Sequence, residues 1–177
     1  MVYRTLTPEE AEMSVDPQQL RITMRLWTSG VTVVTAALNG KRAGVTASSF
    51  TSVSLNPPLI LVCLYKNTEI AHTVIEAGHF AVSILGEGQS EISEQFAGHN
   101  RALPKDADRF YNIATSSQIT GAPILTDAIA WVDCQVHAAH DGGTHWIIVG
   151  EVLAAGRRDD DPKPLVYYNR AYRSITS

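Results

Sequence analysis

The sequence has 177 residues, 45% of them hydrophobic and 18% charged, with a formal net charge of −4. That length and balance describe one globular domain with a core of its own and exclude a chain disordered along its body. The negative net charge argues against a nucleic-acid scaffold, and no window approaches the ~20 apolar residues of a membrane span.

Residues 1–15 are acidic and lack an apolar segment, so they are expected to form a flexible arm rather than a secretion signal, with residues 16–177 as the folded domain. Asp16-Pro17-Gln18-Gln19 spells a helix start. Asp16 can cap free N–H groups, Pro17 suits the first helical position and Gln19 can complete a capping box. Leu20, Met24 and Trp27 follow at helical spacing up to Gly30, which predicts an apolar stripe packed on the body. The β-branched run that follows is a strand. Asn39-Gly40 turns it back, because a tight type I′ turn needs positive φ at both central positions.

The returning chain enters Gly44 to Pro58, GVTASSFTSVSLNPP, with seven hydroxyl or small side chains between Val45 and Leu55 around one aromatic, Phe50. Buried hydroxyls need hydrogen-bond partners, so something polar is expected along this stretch. Leu59 to Leu64 is a continuous apolar strand carrying Cys63. Thr68 then caps a helix with Ile70, Ala71, Val74 and Ile75, ended by Gly78. The start of that helix, beside Lys66 and Asn67, suits an anion because unpaired N–H groups and the helix dipole favour negative charge; an ordinary capped surface helix reads the same way.

Phe80 to Leu85 is the next strand and Gln89 to Phe96 a short helix. Residues 97–111 form a loop long enough for a lid or binding arm, in which Arg101 and Arg109 could reach an anion. From Ala128 to His140 the chain alternates, with Ala128, Val132, Cys134 and Val136 on one face and Trp131, Asp133, Gln135 and His137 on the other. Cys134 and Cys63 lie in apolar runs without metal or redox spacing and read as buried thiols of a reducing cytoplasm. Asp141-Gly142-Gly143 leads into a partner strand, Thr144 to Ala154, and LVYYNRAYRSI closes the chain as an aromatic, cationic strand. Antiparallel strands joined by hairpins predict a small β-barrel or sandwich.

The Gly-rich dinucleotide fingerprint and the P-loop are missing, so any nucleotide would be held on a barrel. No nucleophile–base arrangement stands out, and the histidines are not spaced as metal ligands. Only His145, just past a glycine turn, is placed where its ring can stand over a pocket mouth.

Ser29 to Thr35 (SGVTVVT) and Gly44 to Pro58 together resemble the signature of the flavin reductase family with the FMN-binding split-barrel fold. Its short members supply reduced flavin to a separate monooxygenase. The likeness continues through Phe80 to Leu85, Gln95 to Gly98, Asp108-Arg109-Phe110, Gly121-Ala122-Pro123, Asp133-Cys134, Gly142 to His145 and Pro164 to Tyr168. It implies a mainly β chain, a six-stranded antiparallel Greek-key split β-barrel with a few flanking helices, forming a homodimer with FMN or FAD in a groove near the dimer interface. It places the flavin along Thr46, Ala47, Ser48, Ser49 and Phe50, with Ser52, Val53 and Ser54 close by, and the phosphate at Lys66, Asn67 and Thr68. Arg101 falls near a flavin-contacting position, and the nicotinamide site maps to His145 and the tail residues Tyr168, Asn169, Arg170 and Tyr172. Where the family usually shows Gly-Asp-His, this chain has Gly143-Thr144-His145, which keeps a hydrogen-bonding group and loses a charge.

The activity so implied is NAD(P)H-dependent reduction of FMN or FAD by hydride transfer, with a separate monooxygenase as recipient and neither nucleic acid nor membrane as partner. Cofactors carry this chemistry, which accounts for the lack of an acid–base pair. Few basic residues lie near His145, which favours NADH over NADPH. A non-catalytic flavin- or haem-binding split-barrel carrier or electron-transfer protein would use the same hydroxyl-rich stretch. A split-barrel oxidase acting on a pyridoxine phosphate ranks third.

Overall fold

The computed structural model describes residues 15–100, 102–104 and 107–175, so the expected arm, apart from Val15, and Arg101 lie outside the described residues. In chain order the elements begin with α1 (Pro17–Met24), β1 (Ser29–Gly30), β2 (Thr32–Leu38), β3 (Lys41–Ala47), β4 (Phe50–Leu55) and β5 (Pro58–Tyr65). They continue with α2 (Glu69–Ala77), β6 (His79–Ile84), α3 (Ser90–Ala97), β7 (Thr115–Ser116) and β8 (Ile124–Leu125). The long β9 (Ala130–Gly142) and β10 (His145–Arg157) follow, then β11 (Val166–Tyr168) and β12 (Ala171–Arg173).

Seven strands form one antiparallel sheet in the order β3-β2-β6-β9-β10-β5-β4. Its two edge strands, β3 and β4, are consecutive in the chain and separated only by Ser48 and Ser49. Laid flat, seven strands would hold their edges roughly 29 Å apart, whereas the step from Ala47 to Phe50 spans at most about 11 Å. The sheet must therefore curl until its edges meet, and the barrel closes at a seam on Ser48-Ser49. Thr32 Oγ1 donates to Ala47 O at 2.7 Å on one side of the seam, and Cys63 N donates to Ser49 O at 3.2 Å on the other. The hydroxyl-rich run thus supplies two strands, one each side of the seam, and the sheet has one strand more than the six implied by the family resemblance.

Val34, Val62, Leu64, Phe80, Val82, Cys134 and Ile148 fill the barrel, and α2 closes it with Ile70, Ala71 and Val74. Gly150 is required here: a Cβ at that position would lie 2.5 Å from Phe80 Cζ. A second cluster, containing Val33, Leu85, Phe96, Phe110 and Leu165, packs under α3 outside the barrel. Asn39 and Gly40 have φ of 51° and 79°, as the hairpin reading requires, and Thr68 and Gly78 cap α2 as read.

Three expectations change. The apolar stripe of α1 is not packed on the body: the helix stops at Arg25, none of its residues is buried, and Trp27 beyond it is 72% exposed. Arg109 does not reach for a ligand, because its guanidinium donates to the carbonyls of Gly44 and Phe96 and so clamps α3 onto β3. On β9 the segment carrying Thr120, Ala122 and Ile124 folds over the outer face. Asp133, fully buried there, accepts from the Thr120 N–H at 2.9 Å and from the Thr120 hydroxyl. The tail is a hairpin rather than one strand: Asn169 and Arg170, with φ of 47° and 62°, turn β11 back into β12.

Candidate functional site

A groove of about 800 Å³ opens along the seam. Thr46 to Ser49 form one wall, Cys63 to Tyr65 of β5 another, and His145 and Ile147 of β10 the far end; Thr68 at the start of α2 and Leu20 and Met24 of α1 complete the rim. Closure of the sheet brings these distant segments together, because β10 pairs with β5 in the register His145↔Tyr65.

Three of the hydroxyls expected to await a polar ligand, those of Thr46, Ser49 and Thr68, are partnered within the protein. Thr46 Oγ1 donates to Ser93 O at 2.5 Å, which ties β3 to α3. Ser49 Oγ donates to Cys63 O at 2.9 Å and accepts from Cys63 N at 3.2 Å, completing the seam. Thr68 Oγ1 donates to Tyr65 O at 2.7 Å and accepts from Ala71 N at 3.4 Å. Further donors are available on the backbone. Among the described residues, the N–H groups of Ser48 and Ser49 donate to no protein acceptor, as neither belongs to a strand ladder. Two adjacent amides without acceptors beside an apolar-walled groove suit a ligand edge that carries carbonyl oxygen and ring nitrogen, as an isoalloxazine does.

At the far end, His145 Nδ1 lies 2.9 Å from Thr144 Oγ1, and its ring centre is 5.5 Å from that of Tyr65. The neighbouring hydroxyl fixes the tilt of an otherwise exposed imidazole. Lys66, in the turn before α2, places its ammonium 2.8 Å from the Asp141 carboxylate and 4.8 Å over the Trp146 ring. The hydrogen bond from Lys66, then that from Gly143 N–H at 2.8 Å, holds the Asp141 carboxyl below its ordinary value. The Cys63 thiol is pushed upward by burial, so the groove wall carries a neutral thiol and no ready nucleophile.

The structure separates the other predicted residues into three places. Phe50, Ser52, Val53 and Ser54 run out of the groove along β4, where the register shifts between Ser52 and Ser54 and Val53 is half exposed. Asn67 is exposed in the turn beside Lys66. In the tail, Tyr168 is half-buried in β11, while Tyr172 donates its hydroxyl to Ser93 Oγ at 2.9 Å and lines a cavity of about 180 Å³ with His99. Asn169 and Arg170 border a further cavity with Arg21 and Arg25. Ser48 is common to all three cavities.

Sequence reasoning missed Leu20, Met24, Cys63, Tyr65 and Ile147 in the groove. The helical pair Leu20 and Met24 was visible at i, i+4 but was assigned to the core. Cys63 and Tyr65 gave no signal, because their strand is apolar at almost every position and so hides which alternate face is outside. Among the described residues no group of three or more His, Cys, Asp or Glu could hold a metal ion, and no helix is long and apolar enough to cross a membrane.

Residues 24–176 match the family model described as flavin reductase like domain. Curated relatives include the reductase subunit HsaB of a flavin-dependent monooxygenase from Rhodococcus jostii, 32% identical over 165 residues that cover 93% of this chain and 81% of that protein. The NADH-dependent FAD reductase of Streptomyces globisporus is 40% identical over 147 residues, covering 81% and 79%. Among solved structures, the S. globisporus NADH:FAD oxidoreductase SgcE6 in complex with NAD and FAD fragments superposes with a TM-score of 0.81. It is 34% identical, over 92% of this chain and 96% of that one.

Proposed function

The chain belongs to the flavin reductase-like family, and from that premise we propose that it is an NAD(P)H-dependent flavin reductase that supplies reduced FMN or FAD to a separate monooxygenase. The observation that carries this reading is the pair of N–H groups at Ser48 and Ser49, without acceptors among the described residues and set in a groove that ends at His145.

In this reading a reduced nicotinamide passes a hydride to flavin lying against the seam. Thr46 to Ser49 hold the ring, and the two amides stabilise negative charge as it grows on the ring edge, an effect stronger in a groove with apolar walls than in water. Lys66, Asn67 and Thr68 receive the phosphate, with the capped N-terminus of α2 adding its dipole. His145, tilted by Thr144, steadies the nicotinamide end. The protein supplies position rather than proton transfer, as hydride passage between two bound cofactors requires.

Residues 16–177 act as one unit in this reading, and the working form is a homodimer. The apolar side chains that α1 leaves outside, among them Leu20, Met24 and Trp27, each more than half exposed, are the surface that a second copy would cover. The two free thiols fit a cytoplasmic protein.

The test is NADH and NADPH oxidation by the purified chain with no added flavin, with FMN and with FAD. Turnover that rises with an added flavin establishes the reductase and names its substrate. Flavin binding without oxidation of either nicotinamide would overturn the reading in favour of a carrier.

A further inference from the structure

The Ser48 and Ser49 amides can meet a ligand edge only if the backbone that carries them is held, and it is anchored on both sides. Past the seam, the Ser49 hydroxyl exchanges hydrogen bonds with the carbonyl and the N–H of Cys63. Before it, Thr32 Oγ1 donates to Ala47 O at 2.7 Å and Thr46 Oγ1 donates to Ser93 O at 2.5 Å. Ser93 is the node of this last tie. It lies fully buried in α3, and its Oγ accepts from the Tyr172 hydroxyl at 2.9 Å. α3 starts without a side-chain cap, so its placement depends on ties of this kind.

Tyr172 is not part of the groove. It packs on the cluster under α3, stands edge-on to Tyr167 with ring centres 5.5 Å apart, and borders the cavity of about 180 Å³ that shares Ser48 with the groove. Its one hydroxyl proton is committed to Ser93, and the cavity leaves Ser48 room to shift once a tie is lost. Three hydroxyl-bearing residues thus link the tail hairpin to the seam. We propose that Ser93 and Tyr172 are positioning residues for flavin reduction, holding Thr46 and through it the two seam amides where negative charge grows on the ring. Donors already set in place need no reorganisation as that charge develops. The place of the ring rests on the reductase reading; the relay from Tyr172 to Thr46 does not.

The experiment loads the full chain with FMN or FAD and compares wild type with Thr46→Val, Thr46→Ser, Tyr172→Phe and the double variant Thr46→Val with Tyr172→Phe. It reads the reduction potential of the bound flavin, the single-turnover rate of its reduction and KM for NADH. Arg109 still clamps α3 onto β3 in every variant, so melting temperatures should stay close to that of wild type. Thr46→Val and Tyr172→Phe should each weaken the hold on reduced relative to oxidised flavin by about tenfold, the worth of one hydrogen bond. That lowers the potential by about 30 mV in a two-electron couple, and hydride transfer should slow with KM for NADH unaltered. Thr46→Ser keeps the hydroxyl and should behave as wild type. Because both residues act through Ser93, the double variant should lose no more than the worse single one. A potential unmoved in Tyr172→Phe overturns the proposal, and a raised KM for NADH in that variant would return Tyr172 to the nicotinamide site. Fully additive losses would overturn it as well, with Thr46 touching the ring directly. A chain whose bound flavin responds to these variants yet oxidises neither NADH nor NADPH would sink the reductase reading and leave this one standing. Robust turnover with a potential indifferent to the relay would do the reverse, and a wild type that binds no flavin would sink both.

Discussion

The Lys66 ammonium and the Asp141 carboxylate lie 2.8 Å apart, joining the turn before α2 to the end of β9, so the cation at the expected phosphate position already has a partner. A flavin phosphate arriving there must share Lys66 with Asp141. Asp141→Asn should therefore tighten FMN binding several-fold and leave riboflavin, which has no phosphate, unaffected. Lys66→Met should weaken FMN by about tenfold and again spare riboflavin. Fluorescence titration of both flavins checks this, and equal effects on the two would remove Lys66 from the phosphate site.

His145 is set at the groove end through Tyr65 and Thr144. Its replacement by Ala should raise KM for NADH by about tenfold, the cost of one positioning contact and its packing, with flavin affinity unchanged. Thr144→Ala should raise it less, because the ring stays in place and loses only its tilt. Steady-state kinetics at saturating flavin measures both, and an unchanged KM in His145→Ala would take that residue out of the nicotinamide site.

Asp133 holds down the segment over β9 through two hydrogen bonds from Thr120. Asp133→Ala leaves the part-buried amide and hydroxyl of Thr120 without their acceptor, which costs about 1–3 kcal/mol in all. The urea midpoint should fall with an unaltered slope. A midpoint equal to that of wild type would mean that the segment is held by Ala122 and Ile124 alone.

Cys134 is pushed up from 9.0 to about 12, by burial first and by Asp133 second. The folded state therefore keeps a proton that the unfolded chain loses. Its contribution is complete below pH 9 and fades as pH rises towards 12, by up to about 1.4 kcal/mol per pH unit. The stability difference between wild type and Cys134→Ala should narrow steadily from pH 9 upward in chemical unfolding. Parallel curves would show that the thiol does not titrate with unfolding.

Much of this protein could be read directly from local patterns. Asn39-Gly40, Thr68 and Gly78 act through nearest-neighbour backbone geometry, and each stands as read. The run from Gly44 to Pro58 marked the seam for a reason that proved only half physical: its Thr46 and Ser49 hydroxyls do have partners, but these are Ser93 and Cys63 rather than a ligand. The donors left for a ligand include the backbone amides of Ser48 and Ser49, which no side-chain pattern can advertise.

What the sequence determined by itself was the set of strands, turns and caps, because periodicity, β-branching and positive-φ residues act over a few positions. Closure of the sheet was decided only in three dimensions. It turned Ala47 and Phe50 into opposite edges of one barrel, brought Tyr65 beside His145, and set the arginines of α1 against the turn at Asn169-Arg170. Such contacts join residues up to roughly 150 positions apart, and they exist because hydrogen-bonded edges must be satisfied around a closed sheet, a condition that belongs to the whole chain.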